Sequence, residues 1–440
     1  MYIKKMVNQL KNISIDLQYF MKHSVGYMTH FTPNILSPVS VSFISTLFIK
    51  IHHANMKWYS DFKELHNSNN GIPKKTNWQT PSEYNSIPEL IRKNIETIKR
   101  ETIYQHQFTL EIGEKIFHIF LWFPTIIKTT NQTTILMSDT QIQEKVNRIL
   151  QKIYIWLSIA TSYIHRNTCS KTVNIYLYLT DHKKILPTND TQSIQPLNAN
   201  TAFTTGCISD HTSIFIYREE EWFKVFMHET MHNLGLDFIK IDNPQINHKI
   251  QQTFPISVSD IRLYETYAEM WANIMNIIFV VYFTDTPAKK GRLPIVRWTQ
   301  LFTKRLYLEQ LFSLFQATKI LVFHKLKYPD LFVVEKAQMY KEETQVFCYY
   351  ILKSIWILNI NSFLEFCVSQ KGGASLKFYS SQPNLEKYAN ILIRNAHQPL
   401  YMNSINEMYM YFLQGKYNKL TSKNIPFAKN TLRMTLQELI

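Results

Sequence analysis

The sequence predicts an α+β fold in which helices outnumber strands by residue count, and three observations predict it. Apolar positions alternate from Phe108 to Phe123 as in a β-hairpin. A continuous helical stripe from Thr140 to about Ile164 is followed at once by the alternating strand Thr172–Leu179. Beyond residue 283, long helix-periodic segments take over. Together they describe a small mixed sheet crossed by helices. The expected organisation is a mixed region of unknown role over 1–136, a core over 137–283, and a helical region over 284–440 that closes a cleft.

Composition bounds the rest. With 440 residues, 45% of them hydrophobic, the chain can build one large or two to three ordinary domains. Only 9 glycines are present, which excludes collagen-like repeats and long flexible linkers. Cys169, Cys207, Cys348 and Cys367 lie far apart with no CxxC spacing. That excludes a cysteine-based zinc ribbon and a dense disulfide framework, and it favours a reducing compartment. The opening MYIKKMVNQLKNISIDLQYF has no continuous apolar core with a small-residue cleavage site, so an intracellular protein is expected.

The apolar stretches Ile35–Ile49 and Met270–Phe283 fall short of the roughly 20 residues a membrane helix needs, so no transmembrane segment is expected. The formal charge of +15 comes mostly from lysines scattered through an Asn-, Ile- and Lys-rich chain. No nucleic-acid-binding motif accompanies it, and a specific nucleic-acid partner is not expected.

Along the chain, the first hundred residues read as helices and a loop from His66 to Asn85. In the hairpin, Gly113-Glu114 marks the turn. Ser138 with Gln141 forms a capping box for the next helix, whose stripe is Ile142, Val146, Ile149, Ile153, Leu157, Ala160 and Ile164. In the following strand Val173, Ile175, Leu177 and Leu179 share one face, on which that helix packs. Two more strands are expected at Asn198–Thr205 and Ser213–Tyr217, separated by turn residues Gly206–His211. A helix begins directly after them, with Glu219, Glu220 and Glu221 in its first turn, where carboxylates suit the positive end of the helix dipole. Later helices are expected at Ile295–Phe323 and Glu342–Leu358.

The helix after residue 218 contains H-E-x-x-H as His228, Glu229, Thr230, Met231 and His232. Residues four apart stand one turn apart on the same face, so the two imidazoles can reach one ion. Glu229 projects about 100° away and can take a proton from the attacking water without occupying a ligand position. A catalytic zinc takes three protein ligands and keeps a fourth position open. The third is sought on the segment Ser259–Met275, a helix that Ser259 or Asp260 would cap. Glu265 and Glu269 stand one turn apart there, and Ala268 and Ala272 on the Glu265 face would allow another helix to approach closely. Glu265 is therefore the expected ligand, with Glu269 orienting an imidazole N–H.

HETMH followed by ETYAE resembles the gluzincin arrangement of HExxH plus Glu-x-x-x-Asp, with Glu269 in place of the usual Asp. The stretch IFIYREEEWFKVFMHETMHNLGLDF also resembles uncharacterised metallopeptidase-like proteins of large DNA viruses. The resemblance covers roughly Thr172 to Phe283. It implies a zincin-like core of small sheet, active-site helix and ligand helix, one Zn2+ per chain, and a polypeptide substrate. A viral setting would place the protein in host cytoplasm or virion. In such enzymes an extended peptide pairs with an edge strand, a task for NANTAFTT, Asn198–Thr205. Tyr349 or Tyr350 would supply an oxyanion donor.

A rival completion is the metzincin pattern HExxHxxGxxH. Gly235 fits it, but the final position is Phe238, which cannot ligate. Asp237 sits one residue early, so the alternatives for it are third ligand through a shifted turn or a neighbour that orients the histidines. Gly235 is expected to end the helix in a left-handed cap. The alternative function is a non-catalytic protein, structural or engaged with a virion or host partner, in which zinc ties helices together. Glu229 favours the enzyme, since a structural site has no use for a base.

Overall fold

The computed structural model describes residues 28, 31, 35–67, 80–101, 106–128, 134–164, 169–189, 192–241, 243–258, 260–285, 294–415 and 429–439. The main elements in chain order are α1 (Pro38–Asn67), α2 (Glu89–Glu101), β1 (His106–Ile112), β2 (Lys115–Trp122), β3 (Ile126–Lys128), β4 (Thr134–Leu136) and α3 (Asp139–Thr161). They continue with β5 (Thr172–Thr180), α4 (Pro196–Ala199), β6 (Ala202–Thr204), β7 (His211–Arg218), α5 (Trp222–Asn233), α6 (Pro244–Thr253), α7 (Leu263–Val280) and α8 (Ile295–Phe323). The protein is thus mixed α+β and mostly helical. Its contacts group into a sheet unit of residues 49–183 and 201–236, and a helical unit of residues 1–48, 184–200 and 237–440.

The sheet unit is built on five strands in the order β1-β2-β5-β7-β6. β1 and β2 form the expected hairpin around Gly113, whose φ of 64° suits the turn. β2, β5 and β7 run parallel, and β6 closes the edge antiparallel to β7. The register sets Phe117, Ile119 and Leu121 beside Val173, Ile175 and Leu177. This continuous apolar face is fully buried.

On the opposite face, Phe120, Tyr176, Phe215 and Phe203 form a ladder of stacked rings with centroids 4.9, 4.7 and 4.7 Å apart, one ring each from β2, β5, β7 and β6. The capping box of α3 is present as expected: Ser138 Oγ accepts from Gln141 N, and Ser138 N donates to the Gln141 side chain. α5 packs on β6, β7 and α3.

Two expectations fail in this unit. The acidic trio does not open the helix: α5 begins at Trp222, and Glu221 precedes it in the left-handed conformation with φ 61°. Tertiary contacts dictate this exit from β7. Glu219 N donates to Thr180 O at 2.8 Å, and its carboxylate pairs with Lys145 at 2.9 Å. The strand expected at Asn198–Thr205 is only Ala202–Thr204, because Pro196–Ala199 forms a helical turn with Pro at its start.

Two of the four cysteines are paired, which is no dense disulfide framework. Cys169 and Cys207 form a disulfide with Cα atoms 5.2 Å apart. They are 38 residues apart in sequence, but the β5–β7 register sets Thr172 beside His211 and so brings the chain ahead of both strands to one sheet end. Closing a loop of that length stabilises the fold by about 4 kcal/mol in the chain-entropy account. Cys348 and Cys367 are buried thiols.

The helical unit is organised around α7 and α8, both buried on nearly every face. α8 spans Ile295–Phe323, as the sequence predicts. α7 starts four residues later than expected and runs further: Asp260 pairs with Arg262 at 2.6 Å instead of capping a helix, while Ser259 lies outside the described residues. The apolar run Met270–Phe283 is core helix, continuing through a π-helical turn at Val281–Asp285.

The single helix expected over Glu342–Leu358 is instead a π-helical segment at Phe347–Leu352, then α-helix at Lys353–Leu358. Glu342 stays outside it because its carboxylate accepts from Phe347 N and the Tyr340 hydroxyl. Among the described residues no single helix is long and apolar enough to cross a membrane; one pair, Phe347–Leu358 with Ile360–Ser369, meets those criteria only jointly and is bent by 88°. Of the loop expected at His66–Asn85, residues 68–79 lie outside the described residues, and Ser82–Ser86 form a 3-10 turn.

Candidate metal centre

All twelve residues of α5 are buried, including His228, Glu229, Thr230, His232 and Asn233. A helix buried this completely would ordinarily be apolar, because a polar side chain taken out of water costs free energy unless it is partnered. Its polar groups are used. His228 Nε2 and His232 Nε2 face each other at 3.0 Å, with the ring planes 79° apart. Two imidazoles bound tetrahedrally at about 2.0–2.1 Å would hold their donor nitrogens about 3.3 Å apart. The pair is therefore within a few tenths of an ångström of chelating geometry, and its donor chemistry fits zinc.

Glu229 lies between the histidines in sequence and is also buried. The Tyr217 phenol at the end of β7 registers its charge: burial raises that phenol most, Arg218 opposes the shift, and Glu229 adds to it.

The C-terminal end of α5 is anchored by groups that the sequence reading did not single out. Asn233 Oδ1 accepts from Thr212 Oγ1 at 3.2 Å, Asn233 Nδ2 donates to Thr204 Oγ1 at 2.9 Å, and Ser170 Oγ donates to the Asn233 carbonyl at 2.7 Å. One asparagine thus ties the histidine helix to β6 and β7. The only trace in the sequence is its place directly after the second histidine.

Gly235 then ends the helix as expected. Its φ is 62°, Leu236 N donates to Met231 O, and Gly235 N donates to His232 O, which is the Schellman pattern. A Cβ at this position would meet Cys207 Sγ at 2.8 Å. Gly235→Ala is therefore expected to combine left-handed strain with a clash against the disulfide, on the order of 2–4 kcal/mol, read as a lowered denaturation midpoint. An unchanged midpoint would show that the turn is not held as described.

The helical unit carries the carboxylates. Glu265 lies in the first turn of α7, half-buried, where the helix dipole favours a negative charge. Tyr349 Oη donates to Glu265 Oε2 at 3.2 Å. The Tyr264 phenol is raised by burial first and by the Glu265 carboxylate next. Glu269, one turn on, is buried and accepts from Asn273 Nδ2 at 3.5 Å. Asp237 Oδ1 accepts from Ile239 N at 3.3 Å, a local turn contact. Tyr350 Oη donates to the Leu432 carbonyl. The structure thus brings together His228 with His232, and Glu265 with Tyr349, while Tyr350 points to a different partner.

No protein-family model, curated protein or solved structure matches this chain.

Proposed function

We propose that the chain is a zinc-dependent peptidase in which His228, His232 and Glu265 hold one ion and Glu229 is the general base. The observation that carries this reading is the facing pair of imidazole nitrogens, 3.0 Å apart on a buried helix. His228, His232 and Glu265 each offer one ligand atom, the number of protein ligands that a catalytic zinc takes.

When bound, the ion would polarise the scissile carbonyl and lower the pKa of a water to about 7. Glu229 accepts the proton of the attacking water and returns it to the leaving amine. Burial of the α5 polar face excludes bulk water and strengthens each charge interaction there. Tyr349, whose hydroxyl lies against the proposed ligand Glu265, is the preferred oxyanion donor over Tyr350, whose hydroxyl lies against the Leu432 carbonyl. Glu269 would orient an imidazole N–H. Asp237 holds the turn after Gly235. An extended substrate would pair with the edge strand β6, where backbone hydrogen bonds give affinity with limited selectivity.

The first test is metal content. The purified, folded protein is expected to carry about one zinc per chain, lost on dialysis against a strong chelator. Folded protein that binds no zinc would end the proposal.

A further inference from the structure

Within the helical unit, residues Thr431 to Leu439 form a segment without helix or strand, almost entirely buried. Apart from a bridge to Ile185, side chains rather than another strand hold its main chain. Lys319 Nζ donates to Thr431 O at 2.7 Å, Lys353 Nζ to Met434 O at 2.8 Å, and Asn276 Nδ2 to Gln437 O at 2.9 Å. Gln316 donates to the carbonyls of Thr431 and Arg433, and Tyr350 donates to that of Leu432. Both carboxylate oxygens of Glu309 accept from Leu436 N, at 3.0 and 3.1 Å.

Those six side chains are at most 2% exposed. Two ammonium groups and a carboxylate buried this deeply would be costly in an ordinary core, where chain segments satisfy one another through backbone pairing. Here they hold the backbone of a non-helical segment that bends at Met434 and Leu436. The apolar side chains of Leu432, Met434 and Leu436 are buried, and so are Thr431, Arg433, Thr435 and Gln437 between and beside them.

We infer that these side chains form a peptide-binding site that recognises a non-helical polypeptide through its main chain, and that the chain's own residues 431–439 fill it in cis. Main-chain hydrogen bonds supply affinity, and side-chain pockets supply specificity, in a general mode of peptide recognition. His228, His232, Glu265 and Glu229 take no part in the contacts described; Asn273 Nδ2 donates both to Glu269 Oε1 and to Met434 O, each at 3.5 Å.

The test inserts a specific protease site between Gly415 and Lys429, cleaves the folded protein, and adds a fluorescently labelled synthetic peptide of residues 429–439. Anisotropy is expected to show one peptide taken up per cleaved chain, displaced by excess unlabelled peptide, and no uptake by the uncleaved chain. A peptide N-methylated at Leu436, which cannot donate to Glu309, is expected to bind about 10- to 100-fold more weakly. Three results would overturn the inference: unfolding on cleavage, retained fold with no exchange, or equal binding of the N-methylated peptide. Uptake by the uncleaved chain would place the label elsewhere and overturn it as well.

Discussion

Glu229→Ala is expected to keep about one zinc per chain and its fold while losing peptide hydrolysis by about 10²- to 10⁴-fold, the usual contribution of a positioned general base. The two effects separate because Glu229 is not a ligand. His228 and His232 face each other across one helical turn, and the carboxylate between them in sequence projects to a different side. Metal analysis of wild type and variant, with cleavage of a mixed peptide library followed by mass spectrometry, reads both quantities. Equal turnover in the two proteins would exclude the mechanism. Zinc in both with cleavage in neither would favour the non-catalytic alternative, in which the ion only ties helices together. Glu229→Gln should behave like Glu229→Ala, since the amide keeps the volume but cannot accept the proton.

Glu265→Ala is expected to produce the largest loss of zinc among the carboxylate variants. Removing one of three protein ligands leaves two imidazoles on one helix, and zinc dissociation into a competing chelator should become far faster than in wild type. Glu269→Ala should fall in between, at about 10- to 100-fold in affinity, the usual cost of removing a group that orients a ligand. Asp237→Ala should leave zinc nearly unchanged and act on the turn after Gly235, where Asp237 accepts from Ile239 N. The comparison belongs at a pH where the histidines are neutral, so that proton competition does not mask the ligand effect. Loss of zinc from Asp237→Ala with retention by Glu265→Ala would instead support the metzincin-like turn.

Much of the local structure was legible because its signals are local. The hairpin of β1 and β2 follows from alternation around Gly113, the start of α3 from Ser138 and Gln141, and the end of α5 from a glycine at the one position that needs positive φ. The span of α8 was readable as well, since twenty-nine residues of helical pattern outweigh any single contact. The two histidines are also a local feature: their spacing matches the helix repeat, so a helical α5 places both on one face.

Acidic residues that resemble helix starts are held by other partners, some distant and some near in the chain. Glu219–Glu221 look like a first helical turn, yet Thr180 and Lys145 hold Glu219 at the strand exit, and the helix waits until Trp222. Glu342 looks like a helix start, yet it caps Phe347 from outside. Asp260 looks like a cap for α7, yet it pairs with Arg262.

The sequence by itself determined the α+β class, the helix carrying HExxH and the placing of His228 and His232 on one face of it. These depend on periodicity and on side-chain chemistry, which neighbouring residues express without help. Tertiary structure alone decided the Cys169–Cys207 disulfide, the anchoring of Asn233 to Thr204 and Thr212, and the burial of residues 431–439 among charged side chains. Each joins groups far apart in the chain, and their pairing energy exists only after strand register and helix packing have brought them together.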